Sequence, residues 1–244
     1  MLSIVIPTLN EAANLRGVVA HTRSAARGEA AEIIVSDCDS IDGTAQVARS
    51  LGLTLACGGT CRADACNHGA ARARGDVLLF LHADTLLPND FVRRIRYTLR
   101  RREIVGGAFD FAFAEHLRHR RLDRCKLQMV VWCNHVRYRW SRNFYGDQAI
   151  FVRRDVFDKL GGFPQRALME DVHFSRLMNR HGRTAILSPG VRTSPRRFVM
   201  RGVLTQLLID MVILSCDSFQ LNAAQWWQQY NQWNRQLSGT NSAT

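Results

Sequence analysis

The sequence predicts a layered α/β fold in which a mostly parallel sheet is flanked by helices. Strand-like and helix-like segments alternate over roughly the first hundred residues, which is typical of parallel βαβ units. The apolar run at 77–81 has no polar alternation, as expected of a strand that is buried on both faces of such a sheet. Three of the predicted strands end in polar or acidic residues, and ligands of open α/β sheets bind at the carboxyl ends of the strands.

The composition is that of a folded and strongly basic protein. Its 244 residues are enough for one large α/β domain or two small ones, and a hydrophobic content of 46% excludes a disordered chain. The net charge is +12, and Lys126 and Lys159 are the two lysines among 33 basic residues, so the cationic charge is almost all arginine. Because the guanidinium fork suits phosphate groups, this charge admits an anionic substrate, nucleic acid or an anionic membrane surface as partner.

The cysteines predict a reduced protein. Seven is an odd number, and no basic-then-apolar signal segment precedes the strand that begins at Leu2, so we expect free thiols and a cytoplasmic location. Cys57, Cys61 and Cys66 are close in sequence, but their spacing lacks the paired C-x-x-C character of a zinc site. No apolar run reaches the ~18 residues that a membrane-spanning helix needs.

The first half of the chain is predicted to contain four strands and four helices. The first strand is a β-branched run that ends at Pro7, and Asn10 and Glu11 suit the cap and the first turn of the helix that follows. The helix after the third strand is rich in small residues that permit close packing. In order, the elements are a strand at 2–7, a helix at 12–26, a strand at 32–36, a helix ending at residue 50, a strand at 53–57, a helix at 62–74, a strand at 77–81 and a helix at 88–102.

Acidic residues gather where the second and fourth strands end. The second strand runs into Asp37, Asp39 and Asp42, which repel one another unless something holds them, and a capped turn explains one acid but not three. His82 and Asp84 follow the fourth strand two residues apart, so one extended turn can direct both side chains at one point. A histidine and a carboxylate together suit Mn²⁺ or Mg²⁺, while the alternative is that Asp84 caps the next helix.

Arg62 is unusual at the start of a predicted helix, because the helix dipole favours anions there. Its position makes sense if Arg62 and the free backbone N–H groups of the helix face a bound phosphate. The arginines on the helix at 88–102 are interpreted as a solvated face.

The second half is predicted to continue the sheet. Aromatic residues alternate with smaller ones at 104–113, which indicates a half-buried strand, and Gly106 and Gly107 would let its backbone approach a ligand closely. Glu170 and Asp171 begin a helix that ends at His181, where acids are electrostatically favoured even without a catalytic role. The other elements are one or two helices at 115–142, a turn at 145–148 leading into a strand up to 152, a short helix at 155–160 and a strand at 184–187.

The last segment is predicted to form one or two amphipathic helices at 202–234. Apolar residues recur there at helical spacing, with Gln206 and Asp210 on the opposite side. Next to Arg196, Arg197 and Arg201, such a helix is suited to peripheral contact with an anionic membrane at the inner face. Packing against the domain, or against a second subunit in a homodimer, is the alternative that we favour.

Four segments taken together resemble the family 2 glycosyltransferases: residues 3–11, residues 37–44, His82-Ala83-Asp84 and Glu170-Asp171, in matching order and spacing. The resemblance implies a GT-A fold with a nucleotide-sugar-binding half at 1–103, an acceptor-binding half at 104–190 and, here, a C-terminal helical extension at 191–244. Residues 81–85, 145–148 and 168–171, with Arg196 and Arg197, are similar to a small bacterial subgroup associated with arsenosugar biosynthesis.

The resemblance also implies roles for individual residues. His82 and Asp84 take the place of the family's metal-binding Asp-x-Asp, with histidine instead of the first aspartate, which implies Mn²⁺ or Mg²⁺ as cofactor. Asp171 corresponds to the general base, with Glu170 beside it, and Asp37 would contact the nucleotide base, usually uracil. The residues implied to bind the nucleotide sugar are Pro7, Thr8, Asn10, Glu11, Asp37, Asp39, Arg62, Ala83, Gly107 and Asp147.

The chemistry of glycosyl transfer agrees with these roles. Displacing a nucleoside diphosphate requires neutralisation of charge on the leaving group, which a divalent ion and nearby arginines supply. The acceptor hydroxyl requires a carboxylate that accepts its proton, and attack from the opposite face inverts the anomeric centre. We therefore predict inverting transfer from a nucleotide sugar, first of all a UDP-sugar, to an acceptor hydroxyl.

Two other functions are possible on the sequence alone. A metal-dependent nucleotidyltransferase would use a similar site, but it would need a glycine-rich basic loop after the first strand, which residues 8–11 do not provide. A nucleic-acid-binding module is suggested by the net charge of +12, but the aromatic residues are not interleaved with the arginines as a stacking platform. We therefore expect no nucleic-acid partner.

Overall fold

The computed structural model describes residues 1–114, 121–166 and 168–194, together with Gly202, Val203, Thr205 and Val212. The helices predicted at 202–234, apart from those four positions, lie outside the described residues, as do Arg196, Arg197 and Arg201. Among the described helices, none combines the length and apolar character needed to cross a membrane.

Within the described residues, eight strands form one mixed sheet in the spatial order β3-β2-β1-β4-β7-β6-β8-β5. The strands are β1 (Leu2–Thr8), β2 (Ala31–Asp37), β3 (Thr54–Cys57), β4 (Val77–Phe80), β5 (Thr85–Leu86), β6 (Ile104–Phe113), β7 (Phe151–Arg153) and β8 (Arg183–Thr193). Four of the seven neighbouring pairs are parallel, which confirms the mostly parallel sheet, while β7 runs antiparallel to both its neighbours and β5 runs antiparallel to β8.

The helices have the predicted types and nearly the predicted bounds. They are α1 (Ala12–Ala25), α2 (Thr44–Ser50), α3 (Arg62–Arg72), α4 (Phe91–Leu99), α5 (Arg121–Ser141), α6 (Arg154–Lys159) and α7 (Glu170–His181), with a 3₁₀ turn at Gly146–Gln148. The prediction for α4 was too long at both ends, because the backbone of Asp90 is left-handed, with a φ of 61°, and the helix starts only at Phe91.

Side chains of β1 pack on both faces of the sheet. Ile4 and Ile6 belong to a core that includes residues of α1 and α4, whereas Val5 belongs to a second core with residues of α3, α6 and α7. All four residues of β4 are buried, as predicted for a central strand. The sheet therefore lies between two helical layers, and its strand ends are the places where polar side chains gather.

Helix α3 lies unusually close to β1. A Cβ atom on Gly69 would lie 2.3 Å from Cγ1 of Val5, so only glycine permits this approach. This confirms the close packing predicted from the small residues of α3. Because α3 begins with Arg62, the same packing fixes Arg62 relative to the carboxyl ends of β1 and β4.

Candidate active site

The carboxyl ends of β1, β2 and β4 lie side by side at one edge of the sheet. Thr8 and Asp37 are register partners at the ends of β1 and β2, and the Thr8 hydroxyl donates to Asp37 Oδ1 at 2.8 Å. Strand β4 pairs with β1 in parallel and leads into His82 and Asp84. The structure thus brings the predicted donor-side residues to one edge, as parallel strands require.

Hydrogen bonds hold two of the three acids in the loop after β2, and the third is exposed to solvent. Asp37 is 3% exposed and accepts bonds from the hydroxyl of Thr8 and from both the hydroxyl and the backbone N–H of Ser40, at 2.6 and 3.0 Å. Asp42 accepts from the backbone N–H groups of Ala12 and Thr44, at 2.9 and 3.0 Å. Desolvation would raise the pKa of Asp42, but these bonds outweigh it and lower the pKa. Asp39 is exposed, with a left-handed φ of 54°.

The prediction that Asn10 caps α1 is wrong. Glu11 occupies the N-cap position. The first helical N–H, that of Ala12, donates to the Asp42 carboxylate in the neighbouring loop. Asn10 has a φ of 57° and joins the two loops instead, because its Oδ1 accepts from Ile41 N–H at 3.0 Å. The loops after β1 and β2 therefore form one connected wall.

A charged cluster joins the two halves of the chain beside this wall. Arg62 Nη2 donates to Asp171 Oδ2 at 2.9 Å, and Arg62 Nε donates to Glu170. Arg62 Nη1 lies 3.0 Å from Nε2 of His82, and since a guanidinium only donates, Nε2 is the acceptor. Glu170 and Asp171 are 4% and 5% exposed. The sequence placed these residues in separate motifs but did not predict their mutual contacts.

Burial and charge act in opposite directions in this cluster. Burial would lower the pKa of Arg62, but the charges of Glu170 and Asp171 outweigh it and raise the pKa, so the guanidinium stays protonated. Burial raises the pKa of Glu170, and the positive charge of Arg62 only partly opposes this.

Gly146 is a site residue that the sequence analysis missed. Its backbone N–H donates to Asp171 Oδ2 at 2.7 Å, and a Cβ atom at this position would lie 2.5 Å from His82 Nε2. The turn at Gly146–Gln148 can therefore approach both side chains only through glycine. The sequence signal for Gly146 was its position next to Asp147, a predicted site residue. Asp147 is half-buried in the same turn.

His82, Ala83 and Asp84 form a tight turn between β4 and β5, closed by Thr85 N–H donating to His82 O at 3.2 Å. Asp84 is half-buried, and the alternative that it caps the next helix is wrong, since α4 follows Asp90. Within the described residues, no group of three or more His, Cys, Asp or Glu side chains is arranged for a metal ion. Mg²⁺ and similar ions with substrate phosphates need only one or two protein carboxylates, so the donor set of Asp84 and His82 fits such an ion.

The glycines of β6 lie against the backbones of the two neighbouring strands. A Cβ atom on Gly107 would lie 1.9 Å from the backbone oxygen of Ala185 in β8, and one on Gly106 would lie 2.5 Å from the backbone oxygen of Phe151 in β7. The close approach that these glycines allow is therefore between strands. The remaining predicted donor residues, Pro7 and Ala83, lie at the same edge as Thr8 and His82.

Comparison with known proteins assigns the chain to a family and identifies solved structures with a similar fold. A sequence model described as glycosyl transferase family 2 matches residues 3–163. No curated protein matches the sequence. Among solved structures, the mannosyltransferase PcManGT from Pyrobaculum calidifontis, in complex with GDP-Man and Mn²⁺, is 23% identical with a TM-score of 0.60, over 77% of this chain and 54% of that chain.

Two further structures are similar. TarS 1–349 from S. aureus in complex with UDP is 14% identical with a TM-score of 0.59, over 81% of this chain and 62% of that chain. Glucosyl-3-phosphoglycerate synthase from Mycobacterium tuberculosis, in complex with Mn²⁺, UDP and phosphoglyceric acid, is 20% identical with a TM-score of 0.53, over 76% of this chain and 66% of that chain. The alignments thus span between about half and two thirds of these proteins, and they confirm the predicted GT-A type of fold.

Proposed function

Because the chain belongs to glycosyl transferase family 2, we propose that it transfers a sugar from a nucleotide-sugar donor to an acceptor hydroxyl, with inversion at the anomeric carbon. The observation that carries the proposal is the cluster of Arg62, His82, Glu170 and Asp171. It places two buried carboxylates from the second half of the chain against the strand edge where the first half would hold a diphosphate.

The donor would bind along the wall formed by the loops after β1 and β2. Asp37 and Thr8 form its floor, and Asn10, Glu11 and Asp39 lie along the same loops. Similar structures contain GDP-Man or UDP, so both uridine and guanosine donors are candidates, and UDP-sugars remain our first choice. Arg62, Ala83 and Asp147 complete the donor residues that we propose, whereas Gly107 lies against the backbone of Ala185 in β8 and is not among them.

Asp84, with His82 beside it, would hold a divalent metal ion, as two of the similar structures contain Mn²⁺. A bound Mn²⁺ or Mg²⁺ would neutralise the developing charge of the leaving diphosphate. The lone pair on His82 Nε2 accepts the hydrogen bond from Arg62, and a metal ion would need the same lone pair. His82 can therefore coordinate the ion only after Arg62 has moved.

Asp171 is proposed to act as the general base, with Glu170 supporting it. In the structure Asp171 Oδ2 accepts hydrogen bonds from Arg62 and from the backbone N–H of Gly146, so this oxygen is engaged. The diphosphate of the donor is an anion that competes with the carboxylates for the guanidinium. As Arg62 turns to the diphosphate, Asp171 becomes free to accept the proton of the acceptor hydroxyl.

Three further points belong to the same proposal. Residues 1–103 would bind the donor, residues 104–190 the acceptor, and residues 191–244 would form a helical extension. The five cysteines whose side chains the structure describes are free thiols, which fits the reducing cytoplasm. The resemblance to the arsenosugar-associated subgroup suggests the hypothesis that the acceptor belongs to arsenosugar biosynthesis.

The experiment that tests the proposal is a thermal-shift panel of UDP- and GDP-sugars with Mn²⁺ or with EDTA. At a concentration of about 100 times its Kd, a ligand stabilises the folded state by about 2.7 kcal/mol. This raises Tm by about 5–10 °C for a chain of this size. We expect one nucleotide class to give such a shift with Mn²⁺ and to lose most of it with EDTA or in the Asp84→Asn variant.

Asp155→Asn is the matched control, because Asp155 is a carboxylate on α6 that is 67% exposed. It should retain the full shift. A shift that is unchanged by EDTA would remove the metal from the proposal. The absence of any shift, together with tight binding of oligonucleotides at physiological salt, would favour the nucleic-acid-binding alternative.

A further inference from the structure

Helix α5 presents an apolar stripe on its outer side. Met129, Trp132, Cys133 and Val136 recur at intervals of three and four residues, and Met129, Trp132 and Val136 are 43%, 65% and 40% exposed. Cys133 is also exposed. An amphipathic helix usually buries its apolar stripe, and α5 already does so with Leu127, Val130 and Tyr138 on its inner side. We call the exposed set the outer stripe of α5.

The sequence around the outer stripe is strongly cationic. Residues 116–142 contain eight arginines and lysines but a single acidic residue, Asp123. Arg139, near the C-terminal end of α5, is exposed. A second copy of this chain would bring like charges together at this face, which disfavours self-association there. The surface is therefore complementary to an anionic partner that also accepts apolar side chains.

We propose that the outer stripe of α5 docks the protein on the surface of an anionic lipid bilayer. Trp132 would lie at the boundary of headgroups and acyl chains, which suits the amphipathic indole ring, and the exposed Arg139 would face the headgroups. This docking does not depend on the proposed glycosyl transfer.

The test is flotation of the full chain with vesicles of phosphatidylcholine, alone or mixed with phosphatidylglycerol, at physiological salt. We expect the protein to float with the mixed vesicles and not with phosphatidylcholine alone. Trp132→Asp should weaken binding by about tenfold or more, since it removes an inserted aromatic ring and adds a negative charge. Val136→Ser, a milder change in the same stripe, should weaken binding in the same direction.

Tyr97→Asp is the matched control, because Tyr97 is 68% exposed on α4 and has the guanidinium of Arg100 6.0 Å from its ring centre. It should float like the unchanged protein. Failure of the unchanged protein to float with mixed vesicles would overturn the proposal, as would equal flotation of Trp132→Asp, Val136→Ser and Tyr97→Asp. A stable dimer that Trp132→Asp dissociates, with no vesicle binding, would assign the stripe to self-association instead. Melting curves of the variants separate loss of docking from loss of the fold.

Discussion

Asp171 shows how one side chain can be both locally favoured and specifically positioned. As the second residue of α7, it accepts from Val172 N–H at 2.7 Å, as expected of an acid in the first turn of a helix. Its other partners, Arg62 and Gly146, come from distant parts of the chain. Helix stabilisation alone does not account for these two contacts, and they are the reason that we propose a catalytic role for Asp171.

We predict that Asp171→Asn lowers the rate of glycosyl transfer by about 10²–10⁴-fold, the range for loss of a general base. The amide keeps the size of the side chain and one acceptor oxygen, so the contact with Gly146 can persist. Donor affinity should stay within about threefold, because we propose that Asp171 acts on the acceptor and not on the donor. Initial rates and donor titrations of the purified variant check both expectations.

Asp155→Asn, which changes a carboxylate far from the cluster, serves as the comparison and should keep the full rate. Loss of donor affinity as large as the loss of rate would contradict the role of Asp171 as a base. It would instead make Asp171 part of the donor site.

The candidate site could be predicted in part at the scale of residues. The motifs at 37–44 and 82–84 are local patterns at strand ends, so the sequence alone located their acids and the sheet edge at which they meet. It located Glu170 and Asp171 in the first turn of a helix. The partner of Glu170 was not predictable, because Arg62 precedes it by 108 residues and only the tertiary fold brings them together. Gly146 was missed for the same reason, since its role is to make room for His82. The assignments of donor, metal and base residues stay predictions.

At the scale of elements, α3 is the part that connects packing to function. Its close approach to β1 depends on Gly69, and its first residue is Arg62. A shift of α3 away from the sheet would therefore move the guanidinium that holds Glu170 and Asp171.

We predict that Gly69→Ala destabilises the protein by about 1–3 kcal/mol, because the added methyl group would overlap Val5 and force α3 outward. In a chain of this size each kcal/mol corresponds to about 2–4 °C in Tm. Gly17→Ala is the matched control, since Gly17 lies on the exposed side of α1 and an added Cβ meets nothing within 4 Å.

The control should be more stable than the unchanged protein by up to about 1 kcal/mol, because alanine favours the helix over glycine. Thermal unfolding of both variants measures the contrast. If Gly69→Ala were also stabilising, the close packing of α3 on β1 would be refuted.

Element types were predictable, whereas pairing and some boundaries were not. Strand β5 has two residues, which is too short to carry a periodic pattern. The final strand was predicted at 184–187, yet β8 continues through Ser188-Pro189-Gly190 to Thr193. It does so beside β6, where a register shift between Phe109 and Phe111 accommodates the irregular stretch. Because this adjustment occurs in the partner strand β6, the sequence of β8 itself does not indicate that the strand continues.

At the scale of the whole molecule, the two edges of the sheet have different tasks. The carboxyl edge collects the acids and arginine of the candidate active site. At the amino edge, Glu32 accepts from the Ser3 hydroxyl and the Arg74 backbone N–H, both at 2.6 Å, and Gly75 N–H donates to the same hydroxyl at 2.8 Å. These bonds join the starts of β1 and β2 to the segment before β4. Polar groups there stabilise the sheet and touch no candidate site residue.

This division predicts a pH-dependent effect of Glu32→Gln on stability. Burial would raise the pKa of Glu32, but the bonds from Ser3 and Arg74 outweigh it and lower the pKa below its ordinary 4.5. Between the lowered pKa and 4.5 the unfolded chain binds more protons, so the stabilisation by Glu32 is present above 4.5 and is lost as the pH falls through the folded-state value. We expect Glu32→Gln to cost about 1–2 kcal/mol at neutral pH and progressively less below 4.5.

Urea unfolding of Glu32→Gln across this pH range measures the effect, with Glu103→Gln, an exposed glutamate, as the comparison that should change little. The donor-dependent thermal shift should survive in Glu32→Gln and be lost in Asp84→Asn, while Asp84→Asn should unfold at nearly the same urea concentration as the unchanged protein. A Glu32 variant that loses the donor shift while still folded would show that the two edges are coupled. If Glu32→Gln lost the same amount of stability relative to the unchanged protein at neutral and at acidic pH, the carboxylate at the amino edge would not stabilise the sheet through its charge.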